Sequence, residues 1–156
     1  MGCKIESLLD RVLTIPGIER GVGATSREIE EAEQQLGLKI PLDYRVVLRR
    51  AGWLAIGPQE IWGLGPGVPK HLHLVRSTQL WRTNQWLGLP GHLLPIKEDG
   101  GGNLFCLDCS HADRHECPVI FWDHDAEPDN RGNFWASTLS EFIEGYVDTF
   151  LAEELQ

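Results

Sequence analysis

The sequence predicts an α+β fold, in which a largely antiparallel mixed sheet is covered by helices that lie near the two ends of the chain. Three observations lead to this prediction. Apolar residues recur at helical spacing in the first third of the chain and again at its end, and apolar, aromatic-rich stretches lie between them. The length of 156 residues suits one domain, so we expect a single domain over residues 1–156.

Capping motifs indicate where the helices begin. Thr25 and Glu28 have the spacing of a capping box, in which each side chain satisfies the backbone amide of the other residue, and Thr138 with Glu141 repeats that spacing. Pro41 suits a first helical turn, because a helix needs no amide donor there. We expect helices over 4–14, 25–36, 41–51 and 72–87, and a last helix that starts after Thr138.

Between the helical segments, the chain carries short runs of apolar and aromatic residues that are typical of strands. Residues 98–102 separate the first two main runs and contain three successive glycines, which adopt positive φ without strain and therefore favour a hairpin turn. We expect strands over 92–96, 103–109 and 118–124, a shorter one near 61–64, and a polar loop over 126–132.

The net charge of −9, from 14 basic and 23 acidic residues, limits the classes of partner. An acidic surface repels nucleic-acid phosphates and anionic lipids, so we expect neither nucleic acid nor a membrane as partner. The same surface attracts a basic protein. The sequence contains no apolar run near the roughly 20 residues that cross a bilayer, and its four cysteines are expected to be the reduced thiols of a cytoplasmic protein.

Four groups of residues occur in a fixed order between about residue 25 and residue 151, and together they resemble the SUKH superfamily. That superfamily includes yeast cell-wall-assembly regulators and bacterial immunity proteins. Two positions depart from its pattern, because Asn103 stands where Asp is common and Ala51 stands where Asn often precedes the glycine. The groups are Leu36-Gly37, Ile40-Pro41, Asp43-Tyr44 and Ala51-Gly52; Leu94-Pro95-Ile96, Gly102-Asn103-Leu104 and Cys106-Leu107-Asp108; Pro118-Val119-Ile120, Trp122, His124 and Asp125; and Ala136-Ser137, Leu139, Glu141, Phe142 and Ile143.

The resemblance implies a mixed sheet packed with helices, no enzymatic activity, no cofactor and a role in recognising another protein. For a bacterial member it implies an immunity protein that neutralises a toxin by direct binding. Many such toxins are nucleases or deaminases with basic substrate-binding surfaces, which the charge of −9 would suit. The alternative is a regulatory or scaffold module that binds endogenous partners, as the yeast relatives suggest.

Candidate binding residues come from two classes of side chain. Tryptophan is enriched at the energetic centres of protein interfaces, and three of the six tryptophans lie in a segment, 62–91, that matches no family motif. Acidic residues of helices and loops could together form an electrostatic docking patch. The candidates are Trp62, Trp81, Trp86, Glu30, Glu31, Glu98, Asp99, Asp125, Glu127 and Asp129.

A zinc site is the alternative that the cysteines and histidines suggest, because thiolate and imidazole are the ligands that zinc prefers. Against it, residues 104–109 alternate like a strand, which would point Cys106 and Cys109 to opposite faces. A hydrolase would pair His124 with a neighbouring aspartate and use Ser110 or Cys109 as nucleophile, but a sequence shows no triad geometry. The candidate zinc ligands are Cys106, Cys109, His111, His115 and Cys117.

Overall fold

The structure is a computed structural model that describes residues 4–84, 86–111 and 116–155. Within these residues, helices and strands are interspersed along the chain. The helices are α1 (Lys4–Val12), α2 (Ser26–Leu36), α3 (Leu42–Arg50), α4 (Leu74–Thr83) and α5 (Leu139–Glu154). The strands are β1 (Glu19–Arg20), β2 (Leu54–Ile56), β3 (Gln59–Ile61), β4 (Leu93–Glu98), β5 (Leu104–Asp108), β6 (Val119–Trp122) and β7 (Gly132–Ala136).

The predicted α+β class is confirmed, with the strands arranged in two antiparallel sheets rather than in one mixed sheet. The smaller sheet has the order β1-β2-β3 and the larger has the order β4-β5-β6-β7. A backbone hydrogen bond of 2.8 Å from the Trp62 amide to the Ile96 carbonyl connects the chain after β3 to β4. A parallel bridge between Gly63 and His73 lies outside both sheets.

Helices cover both faces of the larger sheet. Phe121 and Trp122 are neighbours on β6 and therefore point to opposite faces. On one face, Phe142 of α5 lies 5.2 Å from Phe105, which itself packs on Phe121. On the other, Trp81 of α4 lies 6.2 Å from Trp122. The covering helices therefore include α4 from the middle of the chain, besides those near its ends.

The capping motifs act at both predicted helix starts. The Glu28 amide donates to the Thr25 hydroxyl at 3.1 Å and the Thr25 amide donates to the Glu28 carboxylate at 3.0 Å, which is the complete capping box. At α5 the Glu141 amide donates to the Thr138 hydroxyl at 3.1 Å, but the Glu141 carboxylate accepts from the Ser137 amide instead. No helix of the described residues is long and apolar enough to cross a membrane.

The Tyr44 hydroxyl forms a buried hydrogen bond within the core. Tyr44 is fully buried on α3, and its hydroxyl donates to the Trp62 carbonyl at 2.6 Å. We expect Tyr44→Phe to lower the free energy of unfolding by about 1–3 kcal/mol, because it leaves a buried carbonyl without its donor. Urea denaturation measures this change. Tyr146→Phe is the control, because it removes the same hydroxyl group from a tyrosine that is only half-buried. Equal losses of unfolding free energy in both variants would contradict the prediction.

Candidate protein-binding surface

Two loops lie side by side at one end of the larger sheet. The register pairs Glu98 with Leu104, Leu104 with Trp122, and Trp122 with Gly132, so the loop between β4 and β5 emerges next to the loop between β6 and β7. Both loops are rich in carboxylates. We call this region the acidic end and define it by Glu98, Asp99, Asp123, Asp125, Glu127 and Asp129.

Asn103 connects the two loops. Its side-chain oxygen lies 2.7 Å from His124 Nδ1 and also accepts from the His124 amide at 3.2 Å. Its side-chain nitrogen donates to an Asp99 carboxylate oxygen at 3.2 Å. An asparagine can donate to one partner and accept from another at the same time, whereas an ionised aspartate only accepts. The local hydrogen bonds therefore account for an asparagine, rather than an aspartate, at position 103.

Asp99 orders the first loop. One carboxylate oxygen accepts from the Gly101 amide at 2.7 Å and from the Asn103 amide at 2.9 Å. Partial desolvation raises the pKa of Asp99, but these amide donors, the Asn103 side chain and the charge of Lys97 together lower it below its usual value. Asp99 therefore stays ionised at neutral pH and contributes a negative charge to the acidic end.

Lys97 lies beneath this end of the sheet as a nearly buried cation. Its ammonium group lies 5.6 Å from the centre of the Phe105 ring and 5.4 Å from that of Tyr146, and it donates to the Glu98 carbonyl at 3.0 Å. Burial lowers the pKa of Lys97, while the carboxylates of Asp99, Glu60 and Glu98 oppose that change. Because Lys97 is only 6% exposed, it leaves the outer surface of the acidic end negative.

The second loop is held by hydrogen bonds of its own. The Asp125 amide donates to the Asp123 carboxylate at 2.9 Å, and His124 Nε2 lies 3.2 Å from an Asp125 carboxylate oxygen. The side chains of Asp125, Glu127 and Asp129 remain exposed. The structure thus brings five of the seven acidic candidates together, and their role in binding stays a prediction.

Trp86 lies near the acidic end as well. Its side chain is 82% exposed. Arg131, in the loop before β7, donates to the Leu87 carbonyl at 2.6 Å and to the Ala126 carbonyl at 3.1 Å, and its guanidinium group lies 5.7 Å from the centre of the Trp122 ring. Arg131 therefore attaches Leu87, the residue that follows the exposed Trp86, to the acidic loop.

Glu30 and Glu31 lie elsewhere. Both are exposed on α2, and Glu31 pairs with Arg27 at 3.2 Å. Arg82 donates to the Leu36 carbonyl at 2.6 Å and to the Gly91 carbonyl at 2.9 Å, which places the end of α2 at the opposite end of the larger sheet. Among the residues described, no hydrogen bond or ion pair joins these two glutamates to the acidic end.

Trp62 was named as a candidate binding residue, but its side chain is only 3% exposed and does not reach the surface. Its backbone carbonyl accepts from Tyr44 and its amide donates to β4, so the residue is fixed inside the core. Trp81 is half-buried, and its edge-on contact with Trp122 at 6.2 Å gives it a packing role. Trp86 is the candidate tryptophan that the structure leaves open to a partner.

The cysteines within the described residues are buried thiols. Cys106, Cys109 and Cys117 are 0%, 9% and 1% exposed. Burial raises the pKa of Cys106 and of Cys109, which disfavours the thiolate that a metal requires. His115 and the side chain of His111 lie outside the described residues. Within the described ranges, the group of close metal-type ligands is instead Asp123, His124 and Asp125, which bond to one another and to Asn103.

The candidate hydrolase residues are far apart. Ser110 donates to Asp108 at 2.6 Å, just beyond the last residue of β5, whereas His124 contacts Asn103, just before the first residue of that strand. Five strand residues, about 17 Å of extended chain, separate the two positions. The described residues therefore do not assemble a triad from Ser110 or Cys109 with His124.

Sequence reasoning missed the exposed aromatic residues of β7. Phe134 is 66% exposed and Trp135 is 55% exposed. Trp135 packs against Phe105 and Phe121 at ring distances of 5.0 and 5.5 Å, which leaves its outer face uncovered. A signal was present, because these two aromatics stand between Gly132 and the capping residue Thr138, which is the usual setting of a short strand.

The comparisons with known proteins identify a family, a sequence relative and a structure of similar fold. A family model described as SMI1-KNR4 cell-wall, SUKH_5, matches residues 5–148. The SPbeta prophage-derived uncharacterized protein YokK of Bacillus subtilis is 22% identical over 153 residues, which cover 80% of this chain and 75% of that protein. The crystal structure of a protein from Pseudomonas syringae pv. tomato has a TM-score of 0.60 at 20% identity and covers 90% of this chain and 93% of that one, a likeness of fold alone.

Proposed function

Because the chain belongs to the SMI1-KNR4 cell-wall (SUKH_5) family, we propose that it is a non-catalytic protein-binding domain, specifically an immunity protein that neutralises a toxin by direct binding. In this proposal one domain over residues 1–156 acts in the cytoplasm without a cofactor, and its partner is a basic toxin domain. The acidic end carries the proposal, because it places exposed carboxylates of two loops side by side.

The chemistry of the acidic end suits an enzyme that acts on nucleic acid. Such an enzyme uses Lys and Arg to bind phosphates, and a cluster of carboxylates offers the same negative charge in place of the substrate. Complementary charge raises the rate of encounter and orients the two surfaces. Trp86 is exposed and precedes Leu87, which Arg131 holds against the acidic loop, and its ring would supply the apolar contact that a protein interface also needs.

The test is to co-express the protein with the toxin domain encoded immediately beside its own gene. We expect growth to be restored and a complex to elute from gel filtration. The triple variant Asp125→Asn, Glu127→Gln, Asp129→Asn is expected to weaken the complex roughly 10-fold or more, mainly through slower association, because it removes three exposed charges from the acidic end. Surface plasmon resonance at two salt concentrations measures both rates.

The matched control removes the same number of charges elsewhere. Glu19→Gln, Asp148→Asn and Glu154→Gln alter exposed residues of β1 and α5, and we expect this variant to keep most of the affinity. Equal weakening by both triple variants would show that net charge alone acts, and not the acidic end. A genome with no toxin gene beside this one, or growth arrest that persists with the wild-type protein, would contradict the immunity role.

The alternative function is a regulatory or scaffold module that binds an endogenous partner. The description of the matching family, which refers to the cell wall, favours this reading. Cross-linking in cells that carry no toxin gene distinguishes the two functions. A housekeeping protein recovered in stoichiometric amount with the wild type, and lost with the Asp125, Glu127 and Asp129 variant, would favour the regulatory role.

A further inference from the structure

β7 forms the exposed edge of the larger sheet. It pairs with β6 on one side, and no described residue pairs with its other side. The opposite edge of that sheet is different, because Trp62 donates to the Ile96 carbonyl and covers β4. Gly132 to Trp135 are all exposed. Edge strands of soluble proteins are usually protected by lysine or proline, and residues 132–136 contain neither.

The hydrogen bonds of the β6–β7 pair determine which backbone groups of β7 face outward. The Asp123 amide donates to the Arg131 carbonyl at 2.7 Å. Bonded and non-bonded pairs alternate along an antiparallel ladder, so Asn133 bonds to Phe121, while Gly132 and Phe134 turn their amide and carbonyl groups away from β6. A register shift then makes Trp135 the extra residue of a bulge, which ends this outward ladder.

A groove of about 410 Å³ runs beside this edge, between β7 and α5. Phe134, Trp135 and Tyr146 supply its apolar lining. Glu141, Gly145 and Thr149 are spaced four residues apart along α5 and form its other wall. No atom lies within 4 Å of the position that a Gly145 side chain would take, so the wall is open there. The groove can hold a side chain of an extended segment that lies along β7.

The charges around β7 favour one kind of binding segment. The exposed Glu141 carboxylate lies in the groove, and the loop before β7 carries Asp125, Glu127 and Asp129. A second copy of this chain would bring the same acidic groups against one another, with a charge of −9 on each copy. A basic segment at the same edge would instead face groups of opposite charge. We therefore propose that β7 binds an extended, basic segment of the protein partner as a fifth strand, with one of its apolar side chains in the groove.

This inference rests on the proposed function, because it identifies the surface that meets the partner, and its test uses a separate probe. The probe is a blocked peptide of alternating valine and lysine, titrated into the 15N-labelled full chain. We expect the amide signals of Gly132, Phe134 and the groove residues of α5 to shift. The same peptide with N-methyl groups on the amides that face β7 should bind roughly 10-fold more weakly, because it loses two backbone hydrogen bonds.

Two variants test the edge from the side of the protein. Phe134→Pro removes an outward amide without removing a bond to β6, whereas Phe134→Ala removes the ring and keeps the amide. We expect the proline variant to bind the peptide more weakly than the alanine variant. If the proline variant does not fold, the N-methyl peptide still decides the question.

The inference would be overturned if millimolar peptide caused no shift at Gly132 and Phe134. It would also be overturned if the N-methylated peptide, or an alternating valine and glutamate peptide, bound as tightly as the valine and lysine peptide. Self-association of the free protein through β7, detected by sedimentation, would also overturn it in favour of a dimer edge. Peptide binding in a protein that gives no protection against a toxin would count against the immunity role while leaving the edge site in place.

Discussion

Replacing Gly63 with alanine is expected to unfold the protein or to destabilise it by more than ~3 kcal/mol, the upper range for overpacking in a core. A Cβ atom at this position would overlap the Gly52 carbonyl oxygen and lie 2.6 Å from the carbon that bears it. Both obstructing atoms are backbone. The Gly63 amide donates to the Leu72 carbonyl and the Gly63 carbonyl accepts from the Leu74 amide, at 2.8 Å each, so Gly63 cannot move away without losing these bonds.

Urea denaturation and the yield of soluble protein measure this effect. Gly91→Ala is the matched control, because Gly91 is exposed and no atom lies within 4 Å of the position of its Cβ atom. We expect the control to lie within about 0.5 kcal/mol of the wild type. A soluble Gly63→Ala variant with wild-type stability would mean that the close approach of the two backbone segments is wrong.

Replacing Asp43 with asparagine is expected to remove a loss of stability that the wild-type protein undergoes between pH 4.5 and pH 8. Asp43 is 1% exposed on α3, and one carboxylate oxygen accepts from the Tyr44 amide at 2.8 Å. The other oxygen is buried and forms no close hydrogen bond within the described part of the chain, although the Leu139 backbone also acts on the carboxyl and lowers its pKa. Burial raises the pKa of Asp43 from 3.8 to about 7; the Tyr44 amide opposes this change, and the Glu116 carboxylate adds to it.

The direction of this pH dependence follows from the protons that the folded and unfolded states bind. Between pH 4 and 7 the folded state holds a proton that the unfolded chain has lost, so the free energy of unfolding falls as pH rises through this range. The loss reaches at most about 4 kcal/mol at pH 8, at about 1.4 kcal/mol for each unit of pKa. Asparagine does not ionise, so the Asp43→Asn variant does not lose this unfolding free energy as the pH rises.

The measurement is the difference in unfolding free energy between variant and wild type, at pH 4.5 and at pH 8. We expect that difference to be more positive at pH 8, whatever the cost of fitting the amide. Asp148→Asn on the exposed side of α5 is the control and should change stability little at either pH. A difference that is the same at both values of pH would show that Asp43 is ionised in the folded protein.

Local signals in the sequence were sufficient for several elements. Thr25, Glu28 and Gly37 mark the ends of α2, because capping depends on residues that are neighbours in sequence. The glycines of residues 98–102 mark the turn between β4 and β5 for the same reason. The short strands were less visible. β7 was missed, because four of its five residues are exposed on an edge and it lacks the apolar alternation of a strand with one buried face.

The position of a side chain relative to distant segments could not be predicted. Trp62 and Trp86 both lie in a segment without family motifs, yet one is buried by contacts with α3 and β4 and the other is exposed. The acidic end shows the same limit. Asp99 and Asp125 are 26 positions apart in sequence, and the strand register that brings their loops together is a property of the whole sheet.

The guanidinium groups of Arg131 and Arg82 have a consequence for the kinetics of recognition. One holds the carbonyl of Leu87 and the other holds that of Gly91, so the backbone that follows Trp86 is anchored at both ends before any partner arrives. A protein that closes over the indole then has little backbone left to order, and the conformational entropy lost on association is smaller. We expect such preorganisation to appear as a long residence time of the complex, since affinity among related interfaces varies mostly through dissociation.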